Sequence, residues 1–117
     1  MNIEESKLSP SNSILDAIKL LELKGLKIIP IIDSDNNLLG IVTDGDIRKY
    51  LLKEKSTKDE LKEVMNVNYK YINKNEDKEK AYELMKEYKI NHIPIIDSYG
   101  KLEEIISIEQ FTSKNKL

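Results

Sequence analysis

Leu38-Leu39-Gly40-Ile41-Val42-Thr43-Asp44-Gly45-Asp46-Ile47-Arg48 is a short apolar run that breaks into hydroxyl, carboxylate, glycine and carboxylate before an amphipathic stretch begins. The pattern predicts a strand over Leu38–Val42, a tight turn over Thr43–Gly45 and a helix from Asp46 to about Lys53, with Ile47, Tyr50 and Leu51 on one face. Backbone N–H groups at a helix start lack intrahelical partners, and with the macrodipole they favour anionic oxygens. Thr43 can add a hydroxyl donor to a phosphate, whereas ionised Asp46 only accepts, as from a ribose hydroxyl. The combination suits a nucleoside phosphate. The same residues also suit a plain capped helix, because Thr and Asp are ordinary N-caps and Gly is ordinary in a turn.

Upstream, Ile28-Ile29-Pro30-Ile31-Ile32 has no polar alternation and reads as a strand buried on both faces, with Pro30 near its start or on an edge. Asp33–Asn37 is a turn by composition. Before the strand, Ser11-Asn12-Ser13 offers N-caps to a helix carrying Ile14, Ala17, Ile18 and Leu21 at helical spacing and stopping at Gly25. Ser6–Pro10 reads as an extended lead-in.

Downstream, a polar break at Ser56–Glu60 precedes a short amphipathic turn over Leu61–Met65, and then the chain starts over. Tyr69–Ile72 is strand-like, Asn75–Tyr88 is helical with Ala81, Leu84, Met85 and Tyr88 inward, and Ile93–Ile96 is a strand. A turn at Asp97–Lys101, a strand over Leu102–Ser107 and a short helix from Ile108 to about Thr112 follow, with a frayed tail over Ser113–Leu117.

A shift of 64 residues superimposes the two halves without a gap. Of the 25 positions from Ala17 to Ile41, ten are identical, among them Ile29/Ile93, Pro30/Pro94, Ile31/Ile95, Ile32/Ile96 and Asp33/Asp97. About two would match by chance in a composition this rich in Ile and Lys, so the chain is an internal duplication. Each half reads strand, helix, strand, strand, helix, and at about 50 residues neither has enough apolar surface for a core of its own. Two such halves packed sheet to sheet about a pseudo-two-fold axis would bury both and leave two related clefts between them. The expected boundaries are 1–55 for the first repeat, 56–66 for a linking turn, 67–113 for the second repeat and 114–117 for a tail.

Charged residues are 34% of the chain and the formal net charge is -2, with Lys and Arg scattered among Asp and Glu. That balance gives no electrostatic case for nucleic acid or an anionic membrane. With no cysteine and only His92, thiolate metal sites and a cysteine nucleophile are excluded and a zinc site would need an unusual carboxylate set. No glycine-rich phosphate loop or nucleophile elbow is present, so no catalytic residues and no resident metal are expected. No apolar run approaches a membrane span, and Met1–Glu5 lacks the basic-then-apolar order of a signal peptide, so the expected location is cytoplasmic.

The paired motifs resemble those of tandem CBS domains, or Bateman modules. They are Ile29-Pro30-Ile31-Ile32-Asp33 with Leu39-Gly40-Ile41-Val42-Thr43-Asp44-Gly45-Asp46-Ile47, and Ile93-Pro94-Ile95-Ile96-Asp97 with Glu104-Ile105-Ile106-Ser107-Ile108-Glu109-Gln110. The resemblance runs from about Ser6 to Thr112. It implies an α/β (α+β) fold of two β-α-β-β-α repeats. It also implies a regulatory module that binds adenine nucleotides or adenosyl ligands (AMP, ADP, ATP or S-adenosylmethionine) between the repeats and controls a linked or partner enzyme, commonly as a homodimer. The alternative is a ligand-free dimerisation module.

By the same resemblance, Thr43 contacts phosphate and Asp46 takes the ribose hydroxyls. Asp44, Gly45, Lys27, Ile29 and Pro30 complete the first site; Ile28 is apolar and cannot serve as a polar phosphate contact. The second site would comprise Ser107, Gln110, Asn91, His92, Ile93 and Pro94, with Lys27 and His92 as the phosphate-side groups. Gln110 lacks the charge of Asp46, and Glu104 stands where the first repeat has Gly40, so the second site is expected to be weaker or empty. The hexapeptide Thr43–Arg48 is most similar to CBS pairs attached to sugar nucleotidyltransferases and sugar-phosphate isomerases. Apolar helix faces at Tyr50 with Leu51, and Tyr82 with Met85, are the candidate dimer contacts.

Overall fold

A computed structural model describes residues 6–112. These divide into two compact units, one ending at Tyr69 and one starting at Lys70.

The first unit opens with helix α1 (Ile14–Lys24), which buries Ile14, Ala17 and Leu21. Ser13 and Asp16 form its capping box, and Gly25, at φ 63, closes it in the left-handed conformation. Strands β1 (Ile28–Ile32) and β2 (Leu38–Thr43) pair antiparallel, from Ile28 opposite Thr43 to Ile32 opposite Leu38. Helix α2 (Asp44–Leu51) follows β2 directly. Thr43 is thus both the last strand residue and the N-cap, and no separate turn separates strand from helix as the sequence pattern suggested. The core gathers Ile14, Ala17, Ile29, Ile31, Val42, Ile47 and Leu61, with Leu61 belonging to a short 3-10 turn (Leu61–Glu63).

The chain after α2 is laced back onto the beginning of α1. The first two helical amides, of Ile14 and Leu15, donate to the carbonyls of Asp59 and Thr57, each at 2.9 Å, while Leu61 N–H donates to Asn12 O at 2.8 Å. Groups that usually need side-chain caps or water are therefore met by the backbone of the segment leading out of the unit. Further on, Asn66 exchanges two backbone hydrogen bonds with Ile41 on the outer edge of β2.

The second unit repeats this plan with helix α3 (Glu79–Tyr88) and strands β3 (Ile72–Asn73), β4 (His92–Ile96) and β5 (Leu102–Ser107), ending in α4 (Glu109–Thr112). The strand order is β3-β4-β5, with β3 parallel and β5 antiparallel to β4. Its core is Ile72, Ala81, Met85, Ile93, Ile95 and Ile106.

The lead-in expected over Ser6–Pro10 contributes only Leu8, bridged to Ile31, and the strand expected over Tyr69–Ile72 shrinks to Ile72–Asn73. Proline punctuation accounts for both. Leu8 donates to Pro30 O and accepts from Ile32 N, so the next bonds would need an N–H on Pro30 for the Ser6 carbonyl and one on Pro10 for Ile32 O. Neither exists. In the second unit Lys74 replaces Pro10 in the repeat and its N–H does reach Ile96 O at 2.8 Å, but Pro94 still blocks extension towards Lys70. Pro30 therefore sits mid-strand, not near the start or on an open edge, because its missing donor faces a neighbour that ends there.

The repeat extends to fine geometry. Asp33 Oδ1 accepts from the amides of Asp35 and Asn37, and Asp97 Oδ1 accepts from those of Tyr99 and Lys101. The turns end on Asn36 at φ 66 and Gly100 at φ 85, 64 positions apart. Likewise Lys89 takes at φ 55 the left-handed role of Gly25.

Candidate ligand site

The residues singled out in the first repeat meet where β2 becomes α2. Thr43 Oγ1 accepts from the Asp46 amide at 3.2 Å, and Asp46 Oδ2 accepts from the Thr43 amide at 3.0 Å. This reciprocal capping box satisfies two backbone donors with the very groups assigned to phosphate and ribose. It leaves the Thr43 hydroxyl proton free to be donated, and it holds the carboxylate by one oxygen, so that Asp46 Oδ1 has no protein partner among the described residues. Asp44, at the first helical position, forms an exposed ion pair with Arg48 one turn on, each side chain 68% accessible.

Across the sheet, Ile28 pairs with Thr43 and is buried at 2% exposure, in keeping with its apolar character. Ile29 and Pro30 are also buried, and belong to the core and strand wall of this end of the sheet. Lys27 is exposed and has no partner among the described residues. With Asp44 it lines a surface depression of about 330 Å³ floored by Ile18, Leu21 and Leu26 and edged by Glu22. Thr43, Asp46, Ile29 and Pro30 are not part of its wall, so Asp44 is the residue that joins the depression to the capping box. Gly45 has open space where a Cβ would stand, 3.8 Å from Thr43 Oγ1 at the nearest, so its size is not what the helix start requires.

The equivalent residues of the second unit keep half of this arrangement. Ser107 N–H donates to Gln110 Oε1 at 2.8 Å, the counterpart of the Thr43–Asp46 bond with a neutral amide in place of the carboxylate. His92 pairs with Ser107 as Ile28 does with Thr43, Asn91 O accepts from the Ile108 amide at 2.8 Å, and Ile93 and Pro94 are buried. The helix that follows, α4, has four residues against eight in α2, so its aligned dipole is correspondingly short. Among the described residues, no three His, Asp or Glu side chains cluster as a metal ion would require.

One pairing the sequence suggested fails. Met85 lies in the core at 1% exposure and Tyr82 stacks on Phe111 with ring centroids 5.1 Å apart, so intramolecular packing uses this face of α3.

A family model for the CBS domain matches residues 3–53 and again residues 61–114. The chain belongs to the CBS domain family. As a CBS pair it is similar to the inosine-5'-monophosphate dehydrogenase of Methanocaldococcus jannaschii, 28% identical over 109 residues that are 93% of this chain and 21% of that protein. It is also similar to the arabinose 5-phosphate isomerase GutQ of Escherichia coli K12, 28% identical over 99 residues, 85% of this chain and 31% of the isomerase. The chain thus spans between a fifth and a third of the length of these two relatives. Among solved structures, a CBS domain pair in complex with 5′-methylthioadenosine and S-adenosyl-L-methionine superimposes with a TM-score of 0.82, at 27% identity and covering 93% of this chain and 86% of that one. CBSX2 in complex with AMP gives 0.78, at 26% identity over 94% and 88% of the two chains.

Proposed function

We propose that this CBS pair is a regulatory module that senses an adenine nucleotide or adenosyl ligand, of the class AMP, ADP, ATP or S-adenosylmethionine, and relays its occupancy to an enzyme linked to it or docked on it. The ribose is taken by Asp46 and the 5′ group by Thr43, Lys27 and the amides of Asp44 and Gly45, with Ile29 and Pro30 walling the base. Ser107, Gln110, Asn91, His92, Ile93 and Pro94 form a weaker counterpart. In this reading the chain is non-catalytic, works in the cytoplasm as a homodimer, and serves an enzyme of the sugar-nucleotidyltransferase or sugar-phosphate-isomerase kind. Support comes from the ligands of the two similar solved pairs and from the length of the enzymes in which its relatives are embedded. Among the described residues no helix is long and apolar enough to cross a membrane.

The observation that carries the reading is the unpartnered Asp46 Oδ1 beside a Thr43 hydroxyl whose proton is uncommitted. Ligand at a hundredfold excess over its dissociation constant stabilises by roughly 2.7 kcal/mol, enough to raise Tm by several degrees in a chain of this size. A thermal-shift panel of AMP, ADP, ATP and S-adenosylmethionine is therefore expected to give a rise for at least one ligand. Asp46→Asn keeps an oxygen for the Thr43 amide but loses the charge, so it is expected to stay folded and lose that rise. A ligand-free dimerisation module is the competing reading, favoured by the fact that Gln110 performs the same capping bond without any charge. No shift with any ligand would establish it.

A further inference from the structure

Resting on the proposed nucleotide site, we infer that the first unit accepts a nucleoside monophosphate and discriminates against di- and triphosphates. The charges flanking the start of α2 decide this. Lys27 is a cation without a partner among the described residues, and it shares a depression with Asp44. Arg48, the other cation at this end of α2, is engaged by Asp44 in the i,i+4 ion pair. Glu22 stands on the rim of the same depression, and the strand position facing Thr43 is the buried, uncharged Ile28. Counter-charge for one phosphate is therefore available from Lys27 and the amides of the first turn. A second and third phosphate would meet the carboxylates of Asp44 and Glu22, with Arg48 already neutralising the nearer of them. These are exposed charges, so the discrimination is modest and greatest at low ionic strength.

Calorimetric titration of the whole chain with adenosine, AMP, ADP and ATP, in low salt without divalent cations, tests this. AMP is expected to bind about tenfold more tightly than ATP, with ADP between them. Added salt should narrow the AMP–ATP gap, Lys27→Met should remove the advantage of AMP over adenosine, and Asp44→Asn should raise ATP affinity more than AMP affinity. ATP binding as tightly as AMP, or a Lys27→Met chain that still prefers AMP over adenosine, overturns the monophosphate inference while leaving the nucleotide site in place. Failure of all four compounds to bind overturns both.

Discussion

The carbonyl oxygen of Asn66 lies 3.0 Å from where a Cβ on Gly40 would stand, with Met65 Sδ at 3.1 Å. The glycine is thus required by the segment crossing the edge of β2, where Asn66 and Ile41 exchange their two backbone bonds. The aligned residue in the second repeat is Glu104, a half-exposed position of β5. Gly40→Ala is expected to cost roughly 1–3 kcal/mol, because a backbone atom must move. Glu104→Ala should stay within about 0.5 kcal/mol. Urea unfolding of the two variants makes the comparison.

The left-handed helix ends offer a second pair. Gly25 and Lys89 adopt nearly the same conformation, but only lysine pays the steric cost of a Cβ there. Lys89→Gly is expected to stabilise by roughly 0.5–1 kcal/mol after the extra entropy of the unfolded glycine is subtracted, and Gly25→Ala to destabilise by about 1 kcal/mol. Thermal denaturation would show Tm moving in opposite directions.

Acid sensitivity has three identifiable contributors. The Asn12 amide and the Ser13 backbone hold Asp16 below the usual 3.8. The Lys101 backbone does the same for Asp97, and the Asn73 backbone followed by Lys80 holds Glu76 below 4.5. Groups depressed on folding stabilise above their unfolded values and lose that contribution as pH falls through the folded ones. Stability is therefore expected to be level above about pH 5 and to decline as pH drops below about 4.5. Asp16→Asn should flatten part of that decline in urea midpoints measured from pH 6 to 2.5.

At the alkaline end, Tyr50 donates its hydroxyl to Asp59 Oδ2 at 2.7 Å, and that bond, then burial, pushes its pKa up to about 12. Because the folded value is the raised one, its contribution is complete below the ordinary 10.0 and is lost as pH rises through about 12. Ultraviolet titration is expected to show a late-ionising tyrosine that disappears in Tyr50→Phe and moves earlier in Asp59→Asn.

Much of this was legible from residue order alone. Gly25 at the end of α1, the Asp33 and Asp97 turns and the strands beginning at Ile28 and Leu38 stand where the pattern puts them, because glycine, aspartate and an unbroken isoleucine run each act locally. What failed involved competition for backbone groups. The third helix begins at Glu79 and not at Asn75, because Asn73, Glu76 and Asp77 draw the amides of Asn75, Asn73 and Glu79 into side-chain turns. The lacing of residues 57–61 onto α1 depends on carbonyls, which every residue carries, so no side-chain signal announces it. The Thr43–Asp46 pair was readable both as cap and as ligand contact; its geometry satisfies the first use and leaves one carboxylate oxygen over for the second.

The carbonyls of Thr57 and Asp59 give the stretch between the repeats a mechanical meaning. A pull on that stretch is a pull on the leading end of α1, since displacing it strips the amides of Ile14 and Leu15 of their acceptors. Strain entering by this route reaches the first helix without crossing the sheet, which makes the tether itself a lever.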